Sequence, residues 1–448
     1  MAALQDVVSS LAEELQVPGV AVGVLLDGRE EHAFHGVTSI ENPLPVNERT
    51  FFLCGSTTKT YTATAIVRLV EQGLVDLDAP ARTYVPELHV EDEEAAASVT
   101  VLQLLNHTSG WDGDFFRNTG DGDDALARYV EAMTGLRQLT LPGAAVSYNN
   151  AAFGVAGRLI EKVTGSPYEA ALRELLLEPL ELHDTLFFPR ELLTRRVAVD
   201  HQRLQDGGTN SLPFGFPRAT NPVGGIATTT RDLIAWARFQ LGGGDSLVSP
   251  ELARRMQEPT VEAPGWAQGD AVGMAWLLSD VAGLRVIGHG GATLGQLSLF
   301  KIVPERRFAL VSCTNCSPVG SAFNERIMQW AWETLLGAPI AEPETNARTA
   351  DEVAPYCGRY ETVANLFDVT ADANGLSLLV VDRPELLEEF GVELEQEPPV
   401  PFLFRAGHAD GIICTTPPYR GSTGFFLRDE LGRVTAMNAF GRHAVRTS

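Results

Sequence analysis

Lysine is almost missing from this 448-residue chain: Lys59, Lys162 and Lys301 are the lysines among its 34 basic residues, and arginine makes up the rest. Arginine does not give up its proton in a protein, so chemistry that needs a neutral amine side chain falls to those three positions. Positive charge as a whole is short. Against 34 Lys and Arg stand 58 Asp and Glu, for a formal net charge of −24. Such a chain is a poor partner for nucleic acid or an anionic membrane. The surplus acid could draw cationic substrates, but in a background rich in Arg, Asp and Glu its simpler consequence is solubility. Long hydrophobic runs are absent, and no stretch of about 18 apolar residues offers a transmembrane helix. The opening MAALQDVVSSLAEELQV has no basic segment followed by an apolar block. No signal peptide is therefore read there, and a cytoplasmic location is expected.

Cysteine is scarce and odd in number: Cys54, Cys313, Cys316, Cys357 and Cys414. Cys313 and Cys316 form C-x-x-C, but no second pair or nearby His completes a zinc site. They end the strand-like run ALVSCTNC and suit buried thiols in a reducing compartment. No paired His or carboxylate ligand motif appears elsewhere, so neither a metal nor a cofactor is called for.

What the chain does have is centred on Phe51–Gly73, FFLCGSTTKTYTATAIVRLVEQG. An apolar run and Gly55 lead into a stretch of helical spacing in which Ala63, Ile66, Val67 and Val70 share a face. Gly73 sits where the helix stops. Ser56 and Lys59, three residues apart at its start, occupy neighbouring surface. A hydroxyl is a weak nucleophile until a base takes its proton, and a deprotonated amine one turn along can be that base. Backbone N–H groups at the helix start can polarise a carbonyl. The bland alternative is that Ser56 caps the helix and Lys59 points to water.

In chain order, Gly19–Asp27 and Glu31–Val37 form a hairpin around Asp27-Gly28. Helices follow at Val99–Leu105, Asp124–Met133, Ala151–Thr164, Pro167–Leu177 and Asp232–Gln240. Residues 112–123 (DGDFFRNTGDGD) lack the terminal Glu of a calcium loop and suit a flexible loop near a site. Residues 201–222 have no clear period and suggest a surface excursion. Val272–Leu278, Leu284–His289, Ser298–Val303 and Ala309–Cys313 continue as strands, and Phe323–Leu336 as a last helix. This order predicts an α+β fold: an antiparallel sheet shared by the N- and C-terminal segments, flanked by helices, with a helical subdomain between. Beyond a linker rich in proline, alanine and acid the period changes to two. Strand candidates are Tyr356–Glu361, Phe367–Thr370, Leu376–Val381, Pro401–Arg405, Ile412–Thr415, Phe425–Arg428 and Val434–Asn438, with turns at Asn374-Gly375 and Asp410-Gly411. That spells a small all-β barrel or sandwich. The expected division is residues 1–340, a linker at 341–355, and 356–448.

Two more polar clusters stand out. Ser147-Tyr148-Asn149-Asn150 precedes a helix. A Tyr hydroxyl beside a Lys ammonium can carry a proton, since the cation favours the phenolate. An Asn amide can hold a substrate carbonyl or the lysine. Alternatively, an Asn caps the helix and Tyr148 is core. Gly288-His289-Gly290-Gly291-Ala292 ends a strand. Its glycines would let a substrate approach the backbone, and an N–H there could complete an oxyanion hole; alone, the run could be a plain turn. His107, His183 and His201 suit structural or solvated roles.

Together, Ser56-Thr57-Thr58-Lys59, Tyr148-Asn149-Asn150 and His289-Gly290-Gly291 resemble the ordered Ser-x-x-Lys, Tyr-x-Asn and Lys/His-x-Gly motifs of the serine β-lactamase and penicillin-binding-protein superfamily. The variant is similar to the class C β-lactamase, D-aminopeptidase and esterase branch. GLVDLDAPARTYVPEL, LLNHTSG at 104–110 and VGGIATTTRDL at 223–233 belong to the likeness, which runs from about residue 5 to 340. The resemblance implies a β-lactamase-like fold and roles by position. Ser56 is the acylated nucleophile, and Lys59 and Tyr148 share the acid and base work. Asn150 meets the substrate amide. The backbone N–H groups of Ser56 and Ala292, beside Gly291, form the oxyanion hole. The C-terminal module resembles lipocalin-like domains of some relatives, one of which can project a loop into the active site. His289 departs from the lysine common at its position and makes a weaker demand for a substrate carboxylate. The expected activity is hydrolysis of esters, or of amides and peptides without a free carboxylate there. β-Lactamase or DD-carboxypeptidase activity is the alternative within the class, and a non-catalytic penicillin- or peptide-binding sensor the alternative outside it. The expected partner is a small-molecule or peptide substrate, with no nucleic acid and no membrane; oligomeric state is left open.

Overall fold

The N-terminal helix α1 (Leu4–Glu14) leads into β1 (Gly19–Leu26) and β2 (Arg29–Gly36), paired antiparallel. This computed structural model describes residues 3–242, 247–373 and 375–448. The run GVAVGVLL buries both faces of β1, as an interior strand must. Its second neighbour comes from the far end of the N-terminal module. After β3 (Thr50–Leu53), α2 (Thr58–Glu71), α3 (Asn150–Thr164) and α4 (Thr230–Leu241), the chain adds β4 (Leu277–Val281), β5 (Leu284–Ala292), β6 (Leu297–Val303) and β7 (Phe308–Thr314). The sheet order is β2-β1-β7-β6-β5-β4, extended by the short strands Ala271–Val272 and Val261–Glu262. All these pairings are antiparallel. The expected α+β sheet shared by both ends of the module is borne out.

One face of the sheet packs on α1 and the last helix of the module, α5 (Val319–Thr334), through Val8, Leu11, Phe308, Phe323 and Trp332. The other face packs on α2 and α4, and that core runs on into the helical region around α3. Gly23 lets α4 press in close: a Cβ there would lie 2.9 Å from the Ile234 side chain. Helix α2 is buried around most of its circumference although it is rich in threonine. Its hydroxyls return to carbonyls: Thr60 to Thr57 at 2.8 Å, Thr64 to Thr60 at 2.7 Å and Thr62 to Pro222 at 2.7 Å. Buried donors are thus satisfied without breaking the helix.

The expected linker is not featureless. Thr345–Asn346 adds a short strand beside Arg405 and Phe404, and Thr349 caps a helical turn, Ala350–Val353. The C-terminal module then runs β8 (Gly358–Glu361), β9 (Asn365–Ala371), β10 (Leu376–Asp382), α6 (Pro384–Phe390), β11 (Val400–Arg405), β12 (Gly411–Ile413), β13 (Thr423–Arg428), β14 (Val434–Ala439) and β15 (Arg442–Arg446). Pairing of β11 with β12 closes eight strands into a barrel filled by Tyr360, Phe367, Phe402, Phe404, Phe426 and Met437. Two of its elements were not expected, α6 and β15. Asn374 of the expected turn lies outside the described residues. Residues 201–222 are not a mere excursion, because His201 and the turn Asn221–Gly224 are buried in the N-terminal module. Among the described residues, no helix is long and apolar enough to cross a membrane.

Candidate active site

Strand β3 delivers Cys54 and Gly55, and a 3₁₀ turn, Gly55–Thr57, precedes α2. Gly55 is required twice over. Its φ is +51°, and a Cβ there would lie 2.7 Å from the Ala292 backbone nitrogen. Ser56 is the residue of this turn that keeps some exposure. Lys59, one turn on and fully buried, donates from Nζ to Ser56 Oγ at 3.0 Å and to the Val223 carbonyl at 2.9 Å. Burial drives its pKa well below the ordinary lysine value, and the nearby Arg442 cation adds to the fall; Asp114 and Cys54 oppose it. The amine that the scarcity of lysine singles out is thus one whose protonated form the fold disfavours.

Tyr148 approaches from the start of α3. Asn149 caps that helix, its Oδ1 accepting from Ala152 N at 2.8 Å. His107 Nδ1 accepts from Asn149 N at 3.0 Å, and the ring lies 4.4 Å from the Tyr148 ring. The structural role expected of His107 is thus to hold this segment. Lys59 Nζ sits 5.1 Å from the Tyr148 ring centroid and the Arg442 guanidinium 4.6 Å from it. The Tyr148 hydroxyl is buried with no hydrogen bond closed among the described residues. The expectation that a lysine cation favours a phenolate here is corrected. Burial pushes the phenol up, the Ser56 hydroxyl and Arg442 only temper the rise, and the protonated form of Lys59 is itself disfavoured by burial.

Asn150 opens α3 and donates from Nδ2 to Asp114 Oδ1, while its own Oδ1 is buried without a partner among the described residues. It lines a cavity of about 240 Å³ with Ser56, Val223, Gly224, Ala292 and Arg442. His289 and Gly291 fall short of that cavity. His289 lies inside β5, not in a turn, with its ring 6.0 Å from that of Tyr148. Its Nδ1 donates to the Gly290 carbonyl, and burial, then Lys59, push its pKa down to about 3. It therefore carries no charge near pH 7. Gly291 is small for a different reason from the one expected. A Cβ there would lie 1.9 Å from the Cys54 carbonyl, so it is the backbone leading to Ser56, not a substrate, that comes close.

Two charged groups were not singled out from sequence. Asp114, in the loop expected near a site, accepts from Arg442 Nε at 2.9 Å. Arg442 belongs to β15, so the barrel does insert into the cavity. The same hairpin hydrogen-bonds the Tyr148 segment: Tyr148 N donates to the Gly441 carbonyl at 2.8 Å, and His443 N to Ser147 Oγ at 3.1 Å. The site thus holds an amine of lowered pKa on a hydroxyl, a phenol of raised pKa beside them, and the Asp114–Arg442 ion pair along the cavity. That is the equipment for acyl transfer through serine.

A protein-family model described as Beta-lactamase matches residues 4–331. Penicillin-binding protein 4 of Amycolatopsis lactamdurans is 33% identical over 380 residues, covering 80% of this chain and 96% of that one. Among solved structures, SurE superposes with a TM-score of 0.74 at 23% identity, covering 99% of this chain and 98% of that one. D-amino acid amidase from Ochrobactrum anthropi SV3, complexed with D-phenylalanine, does so with 0.60 at 24% identity, covering 70% and 92%.

Proposed function

The chain belongs to the beta-lactamase family, and from that premise we propose that it is a serine hydrolase working through an acyl-enzyme on Ser56. The observation that carries this reading is the 3.0 Å contact between Lys59 Nζ and Ser56 Oγ in surroundings that lower the pKa of the amine. With Lys59 neutral the contact can reverse, the hydroxyl donating to the nitrogen lone pair. Ser56 Oγ then attacks the substrate carbonyl carbon as its proton passes to Lys59. The carbonyl π pair moves to oxygen, toward the backbone N–H groups of Ser56 and Ala292. Collapse expels the leaving group, which takes a proton from the Lys59–Tyr148 pair. A phenol held protonated is suited to that donation. Water repeats the sequence on the ester, with Lys59 again as base, and releases the acid and free Ser56.

The charges along the cavity favour esters, or amides and peptides without a free carboxylate, of D-aminopeptidase or esterase type. Asp114 and Asp382 line it against one guanidinium, Arg442, which Asp114 already pairs. His289 contributes no cation. The likeness to a penicillin-binding protein favours β-lactam acylation as the second reading. A fluorophosphonate probe read by mass spectrometry, beside p-nitrophenyl esters, D- and L-amino acid anilides and nitrocefin, tests both. Turnover lost in S56A supports the hydrolase. Nitrocefin turnover exceeding that of every ester and anilide would favour the second reading, and a nitrocefin acyl adduct on Ser56 that never clears, without turnover of any ester or anilide, would make the chain a binder.

A further inference from the structure

The cavity over Ser56 has a face that the proposed chemistry does not use. Phe116 and Phe216 of the catalytic module and Leu386 and Phe390 of barrel helix α6 all line it. Each is only part-buried, so four large apolar groups keep surface turned to a space of about 240 Å³. Phe390 is their hub, its ring centroid 5.4 Å from Phe116 and 5.6 Å from Phe216. Its position is clamped. The neighbouring Glu389 accepts from Arg117 Nη1 at 3.0 Å and from Asn118 N, tying α6 to the loop that carries Phe116.

Much of the cavity's polar lining is engaged within the protein. Asp114 pairs with Arg442, and Asp382 accepts from Asn365 Nδ2 at 2.7 Å. An occupant therefore gains most by covering the apolar wall. Because Ser56 and Ala292 line the same space, that occupant is attached to the reacting carbonyl. We propose that this wall is a substrate subsite for a bulky apolar group, aromatic or branched aliphatic, and that barrel residue Phe390 determines its selectivity. The attachment to a reacting carbonyl rests on the hydrolase reading; the preference of the wall for apolar groups does not.

The test separates the two. S56A is titrated calorimetrically with acetyl and 3-phenylpropionyl p-nitroanilides, which differ in the apolar group. The aromatic compound is expected to bind at least about tenfold tighter. F390A, with L386A as a second variant on the exposed helix, should bring that ratio toward one, and F390L should keep most of it; circular dichroism verifies each fold. Equal affinities in S56A, or a ratio untouched in both alanine variants, overturn the proposal. Wild-type turnover of the matching p-nitrophenyl esters is read alongside. A ratio that stands without turnover removes the hydrolase reading and keeps the wall. Ser56-dependent turnover with no ratio does the reverse.

Discussion

Arg442 Nε, from the last strand of the barrel, lies 2.9 Å from Asp114 Oδ2, and the other oxygen of that carboxylate takes the side-chain amide of Asn150. A barrel residue thereby reaches the motif that opens α3 through a single side chain. The guanidinium also lies 4.6 Å from the Tyr148 ring centroid, and the Gly441 carbonyl receives the Tyr148 amide. The barrel is therefore part of the site's scaffold and of its electrostatics.

Replacing Arg442 should move the acid limb of the pH–rate profile. The proposed mechanism requires neutral Lys59, and Arg442 is one of the charges that lower the Lys59 pKa. R442M removes that cation and leaves Asp114, whose charge pulls the pKa up. Both changes act in one direction, so the inflection in kcat/KM shifts to higher pH. The measurement is kcat/KM for a neutral ester across pH, wild type against R442M. An unmoved inflection would show that the limb does not report Lys59 or that Arg442 does not act on it.

Much of this geometry was legible in the sequence, and what was not shares a physical reason. Ser56 and Lys59 are three residues apart, so helix geometry alone makes them neighbours. The shared sheet followed from strands at both ends of the module. Arg442 and Asp114 are 328 residues apart, and neither stands in a pattern that betrays a partner. RHAVR carries too little apolar alternation to show as a strand, yet it pairs with β8 and β14 as β15. PELLEEF, α6, is a two-turn helix set among strands, where an expectation of period two passes over it. His289 and Gly291 were picked out in sequence, but their surroundings come from β5 and Cys54, which only the fold reveals.

Tyr148 should act as a proton donor and relay, not as a standing phenolate. Burial raises its pKa, so the hydroxyl keeps its proton across the neutral range. Y148F removes the proton and little volume. A fall in kcat of about 100- to 10,000-fold is expected, the usual span for a lost acid–base group. The loss should be steeper for anilides than for p-nitrophenyl esters, since p-nitrophenolate leaves without needing a proton. Equal losses for the two leaving groups would remove the donor role.

Lys59 should also leave a signature in stability. Its folded pKa lies below its unfolded value, so between the two the unfolded chain binds one more proton. The penalty is full below the folded pKa, shrinks through the window, and is gone above the unfolded value. Within the window this contributes a rise of at most about 1.4 kcal/mol per pH unit in unfolding free energy. Lys301, pushed down to about 8 by burial, contributes with the same sign, and so the informative quantity is wild type minus K59M. Denaturant unfolding at a series of pH values should show that difference increasing with pH. A flat difference would mean that Lys59 is protonated in the folded protein.

Asp200 should matter to the rate although it lies outside the cavity's lining. Its Oδ1 accepts from Gly295 N at 2.8 Å, from Gln296 N at 3.1 Å and from the Thr293 hydroxyl, all in the turn that follows Ala292. Its Oδ2 accepts from Gln296 Nε2 at 2.9 Å, and Gln296 Oε1 in turn accepts from Leu53 N at 2.9 Å. One carboxylate thereby ties the Ala292 turn to the strand that delivers Ser56. D200N keeps the size but sets an N–H against a donor, so one buried group loses its partner. A loss of about 1–3 kcal/mol in stability is expected. Because the Ser56–Ala292 spacing acts on the developing oxyanion more than on the bound carbonyl, kcat should fall further than KM rises. D200N with wild-type kcat and an unchanged unfolding midpoint would show that this network does not set the gap.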